Sequence, residues 1–212
     1  MRAVLVLLLA LCPAVSWAEA WPRPAGEIFA ALSWERWTDD TLHAEFYGER
    51  GFPRGWTLGL KYGRTAGETE ALAFTRRALP APSPFAASVT LGSGLRRQDG
   101  IWTESFTRVG VAVGRGFDTP AGPGWAELAL RRDWNALSPP EHGADTTLGL
   151  TLDGGAHAIL QLRGHDGPDG TLWTLAPSYV HPVNTRLKVR AGALWRPEGG
   201  TAALSAGTWL EF

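Results

Sequence analysis

The sequence predicts an all-β fold, an antiparallel transmembrane β-barrel of twelve strands, with ten the alternative if one hairpin is misread. Three observations predict it. Segments of about ten residues alternate apolar and polar side chains and are separated by clusters of Gly, Pro, Asp and Asn. In several segments the apolar phase begins or ends in an aromatic residue, the layout of a strand whose two ends meet headgroup levels. The last residue, Phe212, closes one such phase, formed by Leu204, Ala206, Thr208, Leu210 and Phe212.

At the other end, Arg2 precedes an apolar stretch over residues 4–11. That stretch is too short to span a bilayer as a helix. Ser16, Trp17 and Ala18, then Ala18, Glu19 and Ala20, each give a small-x-small cleavage pattern. Residues 1–18 therefore read as a cleavable signal peptide, with cleavage after residue 20 the alternative, and residues 19–212 as a single barrel domain. Cys12 is the sole cysteine. Leu11 before it and Pro13 after it depart from the pattern of bacterial lipoproteins, so it reads as an incidental part of the signal. The mature chain is expected to form no disulfide and to offer no thiolate.

Composition narrows the class. Nothing after the signal approaches the roughly 20 apolar residues of a spanning helix, so any crossing must be by strands. Charged residues are 19%, low for a soluble domain, while Gly 26, Pro 15 and Trp 11 favour turns and interfaces. A net charge of -1 predicts no nucleic-acid partner.

Turn clusters fall at residues 38–40, 48–51, 63–67, 80–84, 98–100, 118–124, 138–143, 153–155, 166–170, 181–184 and 196–200. They cut the chain into twelve segments of about 16 residues with their turns, enough for strands of about 9–11 residues. The third segment is the clearest: Trp56, Leu58, Leu60 and Tyr62 share one face, Thr57, Gly59 and Lys61 the other. In the sixth, Val109, Val111 and Val113 conflict in phase with Trp102 and Phe106, which predicts a bulge. The eighth carries Leu148, Leu150 and Leu152 outward, and in the tenth Pro177 removes a ladder donor. The eleventh carries Leu187, Val189, Ala191, Ala193 and Trp195 outward. An even count puts both termini on the periplasmic side, as single-chain bacterial barrels require. Trp34, Tyr62, Trp134, Trp173 and Trp195 then form an outer aromatic belt, and Trp56, Tyr179 and Phe212 an inner one. A soluble lipocalin-like barrel is the weaker alternative, since it keeps its apolar side chains inside.

The opposite phase should line the lumen. It contains the bases Lys61, Arg96, Arg108, Arg131, Arg163, Arg186, Lys188 and Arg190, with Glu35, His43, Glu45, Glu127, Asp153, His157 and Gln161 among them. Arg186, Lys188 and Arg190 on one segment predict an electropositive wall for anions, joined by Arg163, Arg131, Arg96 and Lys61. Equally, these bases can pair with Glu45 and Glu127 and fill a closed barrel. Barrels of about eight strands are filled and those of 16 or more hold a channel, and twelve lies between.

The chain resembles bacterial outer-membrane β-barrels of the type that ends in a C-terminal Phe. That resemblance implies an outer-membrane location, membrane lipid as a partner, and recognition of Phe212 by barrel-assembly machinery. In size, strand number and arginine-bearing lumen it is also similar to the small oligogalacturonate and sialic-acid porins of enteric bacteria, without a shared motif. This implies passive diffusion of small, acidic solutes. The alternative is a closed structural or accessory barrel serving secretion or polysaccharide export, followed by a lipid-modifying enzyme. Against an enzyme, Ser178 and His181 alternate onto opposite faces, and no nucleophile-elbow or zinc-helix motif is present. Asp166 and Asp169 read as a tight turn rather than a calcium loop. No cofactor, metal or catalytic residue is expected.

Overall fold

The computed structural model describes residues 19–98, 101–168 and 170–212. The expected signal peptide, residues 99 and 100 of the fifth turn, and Asp169 lie outside the described residues. Among those described, the chain forms twelve strands: β1 (Ile28–Trp37), β2 (Leu42–Phe52), β3 (Trp56–Thr65), β4 (Glu68–Leu79), β5 (Phe85–Gln98), β6 (Ile101–Thr119), β7 (Gly122–Asn135), β8 (Glu141–Thr151), β9 (His157–Gly167), β10 (Gly170–Pro182), β11 (Leu187–Arg196) and β12 (Thr201–Glu211). Each pairs antiparallel with its sequence neighbours, and β1 pairs with β12 to close the barrel. The seam runs to the last residue: Phe212 donates its N–H to the Ile28 carbonyl, and Ile28 donates to that of Phe212, both at 2.9 Å. Closure leaves no sheet edge unpaired, which a strand protein in lipid must achieve.

Alternation decides which side chains face in. On β3, Trp56, Leu58, Leu60 and Tyr62 are exposed on the outside, while Thr57 is fully buried inside. On β12 the phase from Leu204 to Phe212 faces out, and Ala203, Gly207 and Trp209 are buried within. The outer surface is thus apolar, with Leu60 58% exposed. Trp34, Tyr62, Trp134, Trp173 and Trp195 ring one end, beside the turns that follow β1, β3, β7, β9 and β11. Trp56, Tyr179 and Phe212 ring the end that carries the chain termini, called the terminal rim below.

Three local readings are corrected or refined. The second turn is not at residues 48–51; β2 continues through them, and the chain reverses in a helical turn at Pro53–Gly55. Gly48 and Gly51 are strand glycines, and a Cβ on Gly51 would strike the Pro24 carbonyl. The expected irregularity in β6 exists, but as a register shift opposite Arg96 and Arg97, which leaves Thr103 as the extra residue. The phase conflict at Phe106 has another cause: Phe106 faces inward and packs with Leu72 and Phe74. Pro177 sits mid-strand as expected, and the ladder between β10 and β11 skips from Leu175 to Ser178.

Candidate functional site: the barrel lumen

The interior divides along the barrel axis. At the terminal rim Phe29, Ala31, Trp125, Ile159, Val180 and Trp209 pack into one apolar cluster, with Trp21 and Tyr47 against it. Phe29 and Val180 are fully buried there. Toward the far rim the interior is polar and hollow. A cavity of about 760 Å³ reaches from Gln98, Glu104 and Pro168 at that rim down to Tyr47, Arg76 and Glu127. A second cavity of about 240 Å³ lies beside β1, β2 and β11.

Charges on the cavity walls are arranged by strand. On the β4 to β8 side, Arg96 grips Glu141 with both guanidinium amines, at 2.5 and 2.9 Å, and reaches Glu70 at 3.3 Å. Arg108 holds Asp133 equally, at 2.7 and 2.6 Å, and both guanidiniums lie over the Phe106 ring. Two bases here face three carboxylates, Glu70, Asp133 and Glu141. Lower down, Arg76 donates to Glu49 at 3.0 Å. Lys61 pairs with Glu45 at 2.9 Å and Arg131 with Asp145 at 2.7 Å.

The opposite wall has the opposite balance. Arg163 on β9 donates to the Gln161 amide oxygen at 2.8 Å, and Arg190 on β11 donates to that same oxygen at 3.3 Å. Glu35 lies 3.4 Å from Arg163. Arg196 stacks on the Trp37 ring at 3.7 Å. Arg163, Arg190 and Arg196 all line the smaller cavity, which Glu35, Asp39 and Glu45 also line, so its positive charge gathers on the β9 and β11 wall. The lumen therefore carries a field across its width, acidic at β4 to β8 and basic at β9 to β11.

The segment at residues 186–190 is not a uniform basic wall. Arg186 lies in the turn before β11, exposed at the terminal rim, with its guanidinium 5.9 Å from the Phe212 ring centre. Lys188 faces in near the same rim and meets Glu211 at 3.2 Å and His157 at 3.4 Å. Arg190 alone of the three reaches the cavity. Asp153 lies in the turn after β8. Glu127 faces in and accepts a hydrogen bond from the Ala20 N–H at 2.7 Å rather than pairing with a base. Ser178 faces in, and His181 faces out and stacks on Tyr179, so the two do not meet. Among the described residues no group of three or more His, Cys, Asp and Glu is placed to hold a metal ion.

Sequence reasoning missed Tyr47, Glu49, Glu70, Arg76, Asp133, Glu141 and Asp145, which share the inward phase. It also missed the apolar cluster, for which Trp209 is the legible signal: a large ring in the phase opposite Leu204 and Phe212 has to face in.

No family model and no curated protein matches the chain. Solved structures share its fold. The KdgM porin in complex with disordered oligogalacturonate is 11% identical, with a TM-score of 0.68, covering 87% of this chain and 99% of that one. The NanC porin is 10% identical, with a TM-score of 0.65, covering 85% and 98%. Outer membrane phospholipase A from Escherichia coli is 11% identical, with a TM-score of 0.52, covering 86% and 89%. The chain, a closed twelve-stranded barrel, thus shares its fold with the KdgM and NanC porins.

Proposed function

We propose that the barrel sits in a bacterial outer membrane and works as a narrow diffusion channel for small solutes, anionic ones preferred. The observation that carries this reading is the polar cavity of about 760 Å³, reaching to the far rim, inside a barrel whose outer face is apolar. The fold shared with the KdgM and NanC porins supports the same reading. Arg163 and Arg190, converging on one amide oxygen, present planar donor forks to carboxylate-bearing solutes such as acidic sugars.

A second reading, a closed accessory barrel, draws on the apolar cluster that packs the terminal rim. Single-channel recording separates the two. Steps above background from folded, heat-modifiable protein support the channel, and a silent bilayer leaves the closed barrel. With conductance in hand, R163Q combined with R190Q should lower the anion-to-cation permeability ratio by about twofold or more, and an unchanged ratio would remove these residues from the pathway. Outer-membrane lipid and, through Phe212, the barrel-assembly machinery are the partners this reading implies.

A further inference from the structure

Residues 19–23 run inside the barrel, on the side lined by β2 to β7. Ala20 is fully buried against Ala112 and Ala129. Its N–H meets Glu127 at 2.7 Å, and the Ser88 hydroxyl donates to the Glu19 carbonyl at 2.7 Å. Arg23 donates its N–H to the Thr57 hydroxyl at 3.0 Å, and its guanidinium pairs with Glu49 and lies 4.4 Å from the centre of the Phe29 ring. The seat is cut to fit. Gly114 lacks the side chain that would overlap the Trp21 ring, and Gly51 the one that would strike Pro24.

One charge in this seat is unbalanced. Glu49 is shared by Arg23 and Arg76, whereas Glu127, 6% exposed, has no basic side chain within 4.0 Å among the described residues. A buried carboxylate without a counter-charge is expensive. The nitrogen one residue upstream of the Ala20 N–H is that of Glu19, and export processing between Ala18 and Glu19 would turn it into an ammonium. Processing after Ala20 would instead discard the residues that Ser88 and Glu127 hold.

We propose that Glu127 is a binding site for the α-ammonium left at Glu19 by signal removal, and that residues 19–23, so anchored, form a plug carried by the chain itself. The plug part rests on the channel reading; the ammonium site does not. Trp21 continues the apolar cluster of the terminal rim, so the seated segment completes the closure of that end.

Two measurements on the processed, folded protein test the site. Intact mass should show a chain that begins at Glu19, and one that begins at Trp21 overturns the proposal. Acetic anhydride labelling of the terminal amine, read on the N-terminal peptide, should be at least about tenfold slower in the folded protein than in urea, and E127Q should recover most of that loss. Equal rates in the folded and unfolded wild type would refute it without any variant. For the plug, deletion of residues 19–23 directly behind the signal should raise single-channel conductance by about tenfold or more. Slow amine labelling with no gain of conductance would keep the ammonium site and overturn the plug, while steps from the wild-type and deleted proteins alike would leave the channel standing and silence from both would remove it.

Discussion

At the scale of single residues, the lumen is organised by what each side chain leaves for its cross-strand partner. Gly149 stands directly opposite Trp125, and a Cβ built on it would overlap the indole. The same arrangement recurs inside the barrel where Gly59 faces Phe74 and Gly94 faces Phe106, and on its outer face where Gly164 faces Trp173, each ring lying over the bare backbone of its partner. Replacing Gly149 by Val should cost about 1–3 kcal/mol through overpacking, read as a lower urea midpoint of the folded barrel. Asp133 is a different case. It is 3% exposed and accepts both donors of Arg108, so Asp133→Ala should cost about 1–3 kcal/mol by leaving that part-buried guanidinium with Glu70, at 3.5 Å, as its remaining ion-pair partner. The sequence placed Gly59 on the inward face but not its partner, because the partner of a glycine is fixed by register, and register is not written in either strand alone.

At the scale of elements, turns and phase behaved differently. Phase is a two-residue period that burial enforces along a whole strand, so the outward faces of β3, β11 and β12 could be read directly. A turn is a local choice that strand pairing can override. Residues 48–51 have turn composition, yet they stay in β2 because Gly51 leaves room for the Pro24 carbonyl and hydrogen-bonds Glu27 and Gly26. Arg186 shows the limit of phase at a strand end: its position has the inward parity, but the strand begins one residue later and the guanidinium turns to Phe212. Phe212 closes the β1 to β12 seam and belongs to the terminal aromatic belt. Its removal should reduce the heat-modifiable, folded fraction in cells several-fold, and an unchanged fraction would deny it any part in assembly.

At the scale of the whole molecule, the apolar exterior is a statement about solvent. Leu58, Leu60, Leu148 and Leu128 are each about half exposed, far more than a soluble protein of this size could leave bare as a continuous band. Leu60→Arg, near the middle of β3, should cost about 2–4 kcal/mol of folding stability in a bilayer, while the neighbouring inward Lys61 is carried without such a penalty beside Glu45. The barrel and its strand number were legible because each is imposed by a periodic pattern. The plug was not, and of the apolar cluster only the inward phase of Trp209 was, because which inward side chains meet across the width of the barrel is a distance no local pattern encodes.

With Ile28 and Phe212 joined by a reciprocal pair of hydrogen bonds, the chain is topologically a ring with a single cut. A circularly permuted chain opened within Asp153–Gly155 would keep both ends on the same rim, and one opened in the connection after β1 would move them to the opposite rim. The twelve strands are indifferent to the choice. Residues 19–23 are not, since they enter the lumen from beside the natural cut; where this ring is broken decides which mouth the chain can reach back to close.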